Sequence, residues 1–286
     1  MAGHDSAGKV EAAPPDVDLE REGKDRQFVT ALARGLEVLR AFRPGDVELG
    51  NLEIAERTGL PKPTAARLTY TLTRLGYLSQ AEAHGKYRLA AGVLALGYSL
   101  LAGMGLRERA RPLMQELADY TNASVALGSR DRLSMVYVEC CKGPGHITLR
   151  LGIGDRVPIG TTAMGRALLA SLPATERDFL MSHIKRNSPA EFPRIRDGIE
   201  QAVRDLKERG FVMSVGDWQP DVSAVGVPLI VPDQSIALAL NCGGPAFLFS
   251  REQLETDFGP RLAAIARQLS QGATTHPEPS LQDHGI

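Results

Sequence analysis

The sequence predicts an α+β chain with two folded domains, and three observations predict it. The 286 residues are 43% hydrophobic and 23% charged, enough for two domains with a sizeable core each. Residues 27–90 place two short helical patterns across a glycine turn and end in a hairpin pattern. Residues 111–272 run strands, then helices, then strands again, the order of a mostly antiparallel sheet with helices packed on it.

The elements follow in chain order. Met1–Gly23 carries two basic and six acidic residues and few large apolar ones, so residues 1–26 are expected to be a disordered tail. Nothing there resembles the apolar run of a secretory signal. Leu32, Leu36, Leu39 and Phe42 recur at i, i+4 and i+7, which predicts one buried helix face; Pro44-Gly45 ends that helix. Leu52–Thr58 predicts a second helix with Leu52, Ile54 and Ala55 inward, and Thr58-Gly59-Leu60 turns the chain. Pro61–Leu75 predicts a third, with Ala65, Leu68, Leu72 and Leu75 inward. Gly76–Ser79 and Lys86–Leu89 flank the polar tip AEAHG and read as a two-stranded wing. Together these describe a winged helix-turn-helix over 27–90.

Gly92–Leu106 is nearly all apolar, yet too short and glycine-rich to span a membrane. Residues 91–110 are expected to be a linker helix, with the helical pattern kinked or broken around Gly103-Met104-Gly105 and Pro112. An apolar helix between domains exposes its surface unless something covers it, which predicts a homodimer or a tetramer. The second domain, 111–272, is expected to hold strands at Ala123–Leu127, Leu133–Glu139 and Ile147–Leu151. Helices follow at Thr162–Ser171, Ala174–His183 and Ile195–Arg209, then strands at Phe211–Val215, Ser223–Ile230 and Ile236–Asn241. An amphipathic helix over Arg251–Leu269 closes it, and residues 273–286 read as a second disordered tail.

The net charge of −1 conceals a pattern. Lys24–Leu89 has 11 basic and 7 acidic residues, so 11 − 7 = +4, whereas Arg111–Gly272 has 18 of each. From Arg57 to Ala81 there is no acidic residue. A helix that enters the major groove must not carry carboxylates towards phosphates. The outer face of the third helix carries Lys62, Thr64, Ala66, Arg67, Tyr70, Thr71 and Arg74. Thr64 and Ala66 are small enough for close approach, and an arginine such as Arg67 can bond a guanine edge with two N–H groups. Lys86 and Arg88 on the wing can add phosphate contacts. The alternative is a three-helix module with a solvated basic face.

Enzyme signatures are absent from the sequence. Gly152-Ile153-Gly154 lacks the third glycine of a dinucleotide loop, and neither GxxxxGK[ST] nor GxSxG occurs. The six histidines form no metal spacing, and Cys140, Cys141 and Cys242 make no CxxC pair. No catalytic residue, metal or cofactor is therefore expected, and the cysteine usage suits a reducing cytoplasm.

The segments FVTALARGLEVLRAF, LEIAERTGLPKPTAARLTYTLTRLGYL and KYRLAAGVLALG resemble the N-terminal domain of the IclR family of transcriptional regulators. Gly59, Leu60, Pro61, Thr64, Arg67, Leu68, Leu72, Gly76 and Tyr77 fall on the family's positions; Thr69 stands where an apolar residue is commoner. VPIGTTAMGRALLAS, GFVMSVGDWQPDVSAVGVPLIV and IALALNCGGPAF continue the resemblance across nearly the whole chain outside the tails. The opening segment is most similar to members that control aromatic-acid catabolism.

The resemblance implies double-stranded operator DNA as a partner and a GAF-like effector domain. It implies a pocket around Thr161, Thr162, Ala163 and Met164, the loop with Trp218 and Asp221, and the strand end at Asn241 and Gly243. A helix start at Thr161–Gly165 favours an anion such as a carboxylate. Gln219 and Leu229 stand where some members carry Asp and Cys, which favours a larger, more apolar acid over glyoxylate. Each residue also has a purely structural reading: Thr161 or Thr162 as a helix cap, Trp218 as loop packing, Asp221 as a turn residue and Cys242 as a small buried hydrophobe.

Overall fold

The computed structural model describes residues 27–81, 85–145, 149–230 and 237–271. The tails expected over 1–26 and 273–286 lie outside the described residues, as do Glu82–His84 of the wing tip. Two compact units divide between Gly103 and Met104.

In the first unit, helix α1 (Thr30–Arg40) buries Gly35 and Val38, and Ala41 follows them into the core. Leu39 and Phe42 pack against that core as expected, but Leu32 and Leu36 are exposed. Two adjacent stripes of a helix satisfy the same spacing. The inward one here is built on Gly35 and Val38, with Leu68 close beside Gly35. Strand β1 (Leu49–Gly50) leads into α2 (Asn51–Thr58), which buries Ile54 and Ala55 and leaves Leu52 exposed in its first turn. Gly59 ends α2 at φ 68°, a left-handed conformation that glycine adopts freely. Helix α3 (Lys62–Arg74) buries Ala65, Thr69 and Leu72, with Leu68 half-buried; Leu75 follows the helix end and is exposed. The unusual Thr69 is fully buried, and its Oγ1 donates to Asn51 Oδ1 at 2.9 Å, tying α3 to the start of α2. Strands β2 (Leu78–Gln80) and β3 (Lys86–Leu89) form the wing, in an antiparallel sheet of order β1-β3-β2. Helix α4 (Ala91–Ala102) has no buried residue.

The helical pattern breaks at Gly103–Met104 as expected, and α5 (Gly105–Thr121) belongs to the second unit. Met104, Leu106, Ala110 and Met114 are buried there. Pro112 does not break α5: both it and Glu108, whose carbonyl loses an amide partner, are exposed, so water can replace that bond.

The second unit is a six-stranded antiparallel sheet, order β6-β5-β4-β9-β8-β7. Its strands are β4 (Ser124–Asp131), β5 (Ser134–Lys142), β6 (Arg156–Pro158), β7 (Val212–Val215), β8 (Val222–Leu229) and β9 (Leu238–Pro245). The strand expected over Ile147–Leu151 is described only from Leu149, where none forms; the outer strand is β6, beyond the Gly152–Gly154 turn. Helices α6 (Ala163–Ser171), α7 (Ala174–Asn187) and α8 (Phe192–Arg209) separate β6 from β7. The chain ends in α9 (Arg251–Gln253), a π-helical turn (Leu254–Phe258) and α10 (Gly259–Gln271). Asn241 and Cys242 are neighbours on β9 and point to opposite faces. Asn241 faces the side covered by α6, whereas Cys242 lies 3.7 Å from Thr121 of α5.

The β4–β5 ladder shifts register between Leu127 and Gly128, so that Leu127 opposes Glu139, Gly128 opposes Tyr137, and Val138 is an extra residue. Glu139 is 1% exposed and held by two arginines of α5: Arg111 Nη1 donates to Oε1 at 3.0 Å, and Arg107 Nε lies 2.9 Å from Oε2. The Arg107 Nε–H itself points to the Val138 carbonyl at 3.1 Å, so its contact with Oε2 is one of charge rather than a hydrogen bond.

Candidate nucleic-acid interface and ligand cavity

Helix α3 presents Lys62, Arg67, Tyr70 and Arg74 to solvent, with Thr64 and Ala66 half-buried between them. The neighbouring cations are engaged elsewhere. Arg57 pairs with Asp46 and donates to the Ala41 carbonyl at 2.9 Å. That hydrogen bond from Arg57 holds the Asp46 carboxyl below its ordinary range. Arg88 is bound by Glu48, its Nε 2.9 Å from Oε1, so of the expected wing cations one is already neutralised. Lys86 is half-buried. Among the described residues, Lys62, Arg67 and Arg74 pair with no carboxylate, which leaves three uncompensated positive charges on one helix face. Such a face attracts phosphates and has donors to spare for base edges.

In the second unit, a cleft opens between α6, the strand face beneath it and the loop before β8. It holds about 350 Å³ of space, the open solvent at its mouth included. Thr162 caps α6: its Oγ1 accepts from Gly165 N at 3.2 Å and donates to the Pro158 carbonyl at 2.7 Å. Gly226 of β8 allows the start of α6 to lie on the sheet, since a Cβ there would sit 2.4 Å from the Ala163 carbonyl oxygen. Met164 reaches across to β4, where a Cβ on Gly128 would lie 2.2 Å from its sulfur.

The loop that carries Trp218 is held by charge. Arg166 of α6 is 4% exposed; its Nη1 donates to Asp217 Oδ2 at 2.7 Å and its Nε to the Gly160 carbonyl at 3.2 Å. Arg194 of α8 donates to the Asp217 carbonyl at 2.9 Å. Gly198 leaves room for this arrangement, because a Cβ there would lie 2.3 Å from Arg166 Nη2.

Thr162, Ala163, Met164, Trp218 and Asn241 line the cleft. Three expected residues do not. Thr161 turns its carbonyl to Ser214 Oγ at 2.8 Å; Asp221 is exposed, with its carbonyl bonded to Ala246 N at 2.7 Å; Gly243 lies further along β9, tight against Ala224. Leu229 and Gln219 are also absent from the lining. Tyr137, Leu149, Val157, Ser214, Val222 and Ala224 complete the wall. These come mostly from strands, where alternation marks a residue as inward but cannot separate a cleft wall from a filled core. Burial raises the pKa of Tyr137 well above that of an ordinary phenol, with a hydrogen bond from Asn241 acting against it. Burial pushes the thiols of Cys141 and Cys242 up to about 11 and about 12, so both behave as small apolar groups. No helix of the described residues is long and apolar enough to cross a membrane.

Residues 31–82 match the model of the IclR helix-turn-helix domain, and residues 98–271 match that of the bacterial transcriptional regulator IclR C-terminal domain. An IclR family transcriptional regulator from Brucella abortus, known from its crystal structure, is 51% identical, with a TM-score of 0.82 over 87% of this chain and 94% of that one. The HTH-type transcriptional regulator TsaQ1/TsaQ2 of Comamonas testosteroni is 32% identical over 85% of this chain and 87% of its own length. A more distant structure, an IclR homologue from Microbacterium hydrocarbonoxydans complexed with 4-hydroxybenzoate, shares the fold at 20% identity and a TM-score of 0.64, covering 85% of this chain and 98% of that one. The winged unit, the six-stranded sensor unit and the two family matches agree: the chain belongs to the IclR family of DNA-binding bacterial transcriptional regulators.

Proposed function

We propose that this regulator reads its operator through α3 and is controlled by a small organic acid bound in the cleft beneath α6. The observation that carries the first part is the uncompensated face of Lys62, Arg67 and Arg74, with Thr64, Ala66 and Tyr70 between the charges. Lys86 adds a phosphate contact from the wing. The cleft supports the second part: a capped helix start, an apolar wall with Trp218 and Met164, and polar groups at Asn241 and Tyr137. The aromatic ligand of the Microbacterium hydrocarbonoxydans homologue makes an aromatic acid a suitable first candidate. The working form is a cytoplasmic homodimer, or a tetramer built from two such dimers, rather than an enzyme. Val29, Leu32 and Leu36 of the α1 region and Leu94, Leu96, Tyr98 and Leu100 of α4 are exposed apolar groups that a second copy would cover. A GAF-like description of the second unit rests on its antiparallel sheet between helix layers. The test is an electrophoretic shift with the full chain on its own promoter, with and without a panel of acids. Failure to prefer the promoter over random DNA at moderate salt excludes the reading.

A further inference from the structure

In the first unit, the recognition helix and the wing meet at one side chain. Asn51 is the first residue of α2, directly after β1, and the two ends of its carboxamide reach two different elements. Its Oδ1 accepts from Thr69 Oγ1 of α3 at 2.9 Å. Its Nδ2 donates to the Tyr87 hydroxyl of β3 at 3.5 Å, a long hydrogen bond. Tyr87 packs against the apolar core of the unit and faces Leu49 across the β1–β3 ladder, where Gly50 faces Lys86. Asn51 is thus tied to the wing by its side chain and by the strand that leads into it.

Thr69 is the unusual member of this chain. It is fully buried and stands where an apolar residue is commoner in the family. The hydroxyls of Thr58, Thr71 and Thr73 bond the carbonyl four residues back, a use open to any helical threonine. Thr69 Oγ1 also lies 3.0 Å from a local carbonyl, that of Ala66, but its single proton is shared with Asn51 on another helix. A buried hydroxyl directed between helices constrains their relative placement as well as its own rotamer. Tyr87 turns towards the core, and strand alternation puts its neighbours Lys86 and Arg88 on the other face.

Resting on the reading of α3 and the wing as the elements that meet DNA, we propose that Asn51 is a positioning residue for operator recognition. Through Thr69 and Tyr87 it sets the wing against the recognition helix, so that Lys86 reaches a phosphate while Arg67 reads a base. Both ends of its own side chain are used inside the unit.

The experiment follows operator binding by the full-length protein in anisotropy titrations at several salt concentrations. Lys86→Ala is made in the wild type and in Thr69→Val, which keeps the side-chain shape and removes the hydroxyl. In the wild type, loss of Lys86 is expected to reduce the salt slope by about 1. In Thr69→Val the same loss is expected to leave the slope nearly unchanged, because the wing has already lost its setting. Thr69→Ser restores a hydroxyl and is expected to restore the dependence on Lys86. A purely structural role would lower the melting temperature of Thr69→Val and leave the Lys86 dependence whole; that result overturns the proposal. An unchanged slope on loss of Lys86 from the wild type overturns it together with the wing contact, and leaves the reading by α3 standing. Absence of any promoter preference overturns the DNA reading and this proposal with it. Should Thr69→Val fail to fold, Tyr87→Phe breaks the chain at its half-buried end, and an undiminished Lys86 dependence there is equally decisive against it.

Discussion

Arg166 on α6 and Asp217 on the loop before β8 are joined at 2.7 Å, with the arginine side chain 5% exposed and the carboxylate about a third exposed. The pair links the helix start to the tryptophan that faces it. Removing one partner strands a buried charge. Asp217→Ala is therefore expected to destabilise the second unit by about 3 kcal/mol, the low end for a broken buried pair given the exposure of Asp217. Urea denaturation measures this, and a change below about 0.5 kcal/mol would show that the pair holds nothing. The same variant is expected to weaken ligand binding, because Trp218 loses its fixed position.

Gly198→Ala tests the same relationship without touching either charge. A Cβ there meets the guanidinium of Arg166 at 2.3 Å, so the arginine must move or the helix must shift. Loss of stability and of ligand response together is the expected outcome, seen by thermal shift with and without the acid. An unchanged melting temperature would mean that the helix yields freely.

On the DNA side, Arg67→Ala is expected to cost about 1–3 kcal/mol and to relax preference at one base position. Lys62→Ala or Arg74→Ala should weaken binding to all sequences and reduce the salt slope by about 1. Arg88→Ala should do less, since Glu48 already neutralises that charge. Anisotropy titrations at several salt concentrations separate these cases. An Arg88 effect equal to that of Arg67 would refute the ranking.

The exposed apolar helices give a prediction about mass. Leu94→Glu with Leu100→Glu should turn a dimer into a monomer in sedimentation at micromolar concentration. Both residues are already exposed in a single chain, so the fold itself has little to lose. A doubly substituted protein that remains dimeric would move the interface elsewhere.

The Arg57–Asp46 pair has a defined pH signature. Its hydrogen bond lowers the folded-state pKa of Asp46, so the contribution is present above the unfolded value, ~3.9, and disappears as pH falls through the folded value. The stability difference between the wild type and Asp46→Asn should be clear at pH 7 and vanish under strong acid. A difference that persists below pH ~2 would assign it to shape rather than charge.

Much of the first unit was legible in the sequence, because Gly59, the acid-free run from Arg57 to Ala81 and the wing pattern are local signals. The exposure of Leu32, Leu36 and Leu75 was not, since apolar spacing cannot say which of two stripes faces the core and which is free to meet another molecule. Thr162, Ala163 and Met164 were legible as a helix start, and Trp218 as a lone aromatic in a loop. Tyr137 and Ser214 were hidden inside ordinary strands. Arg166 was hidden by its sequence: nothing in AMGRALLAS says that its arginine turns inward to a loop 51 residues away.

The extra residue on β5 has a mechanical meaning. Tyr137 and Cys140 pack on the cleft side, three positions apart, which strict alternation would forbid; Val138 between them makes it possible and turns Glu139 towards α5. The carbonyl gripped by Arg107 belongs to the peptide immediately after the one that joins Tyr137 to Val138. Planar, stiff peptide units thus connect the cleft wall to the first turns of α5. The bulge is a short link: the backbone runs from Tyr137 on the cleft side to the Val138 carbonyl, and a single hydrogen bond carries it on to Arg107.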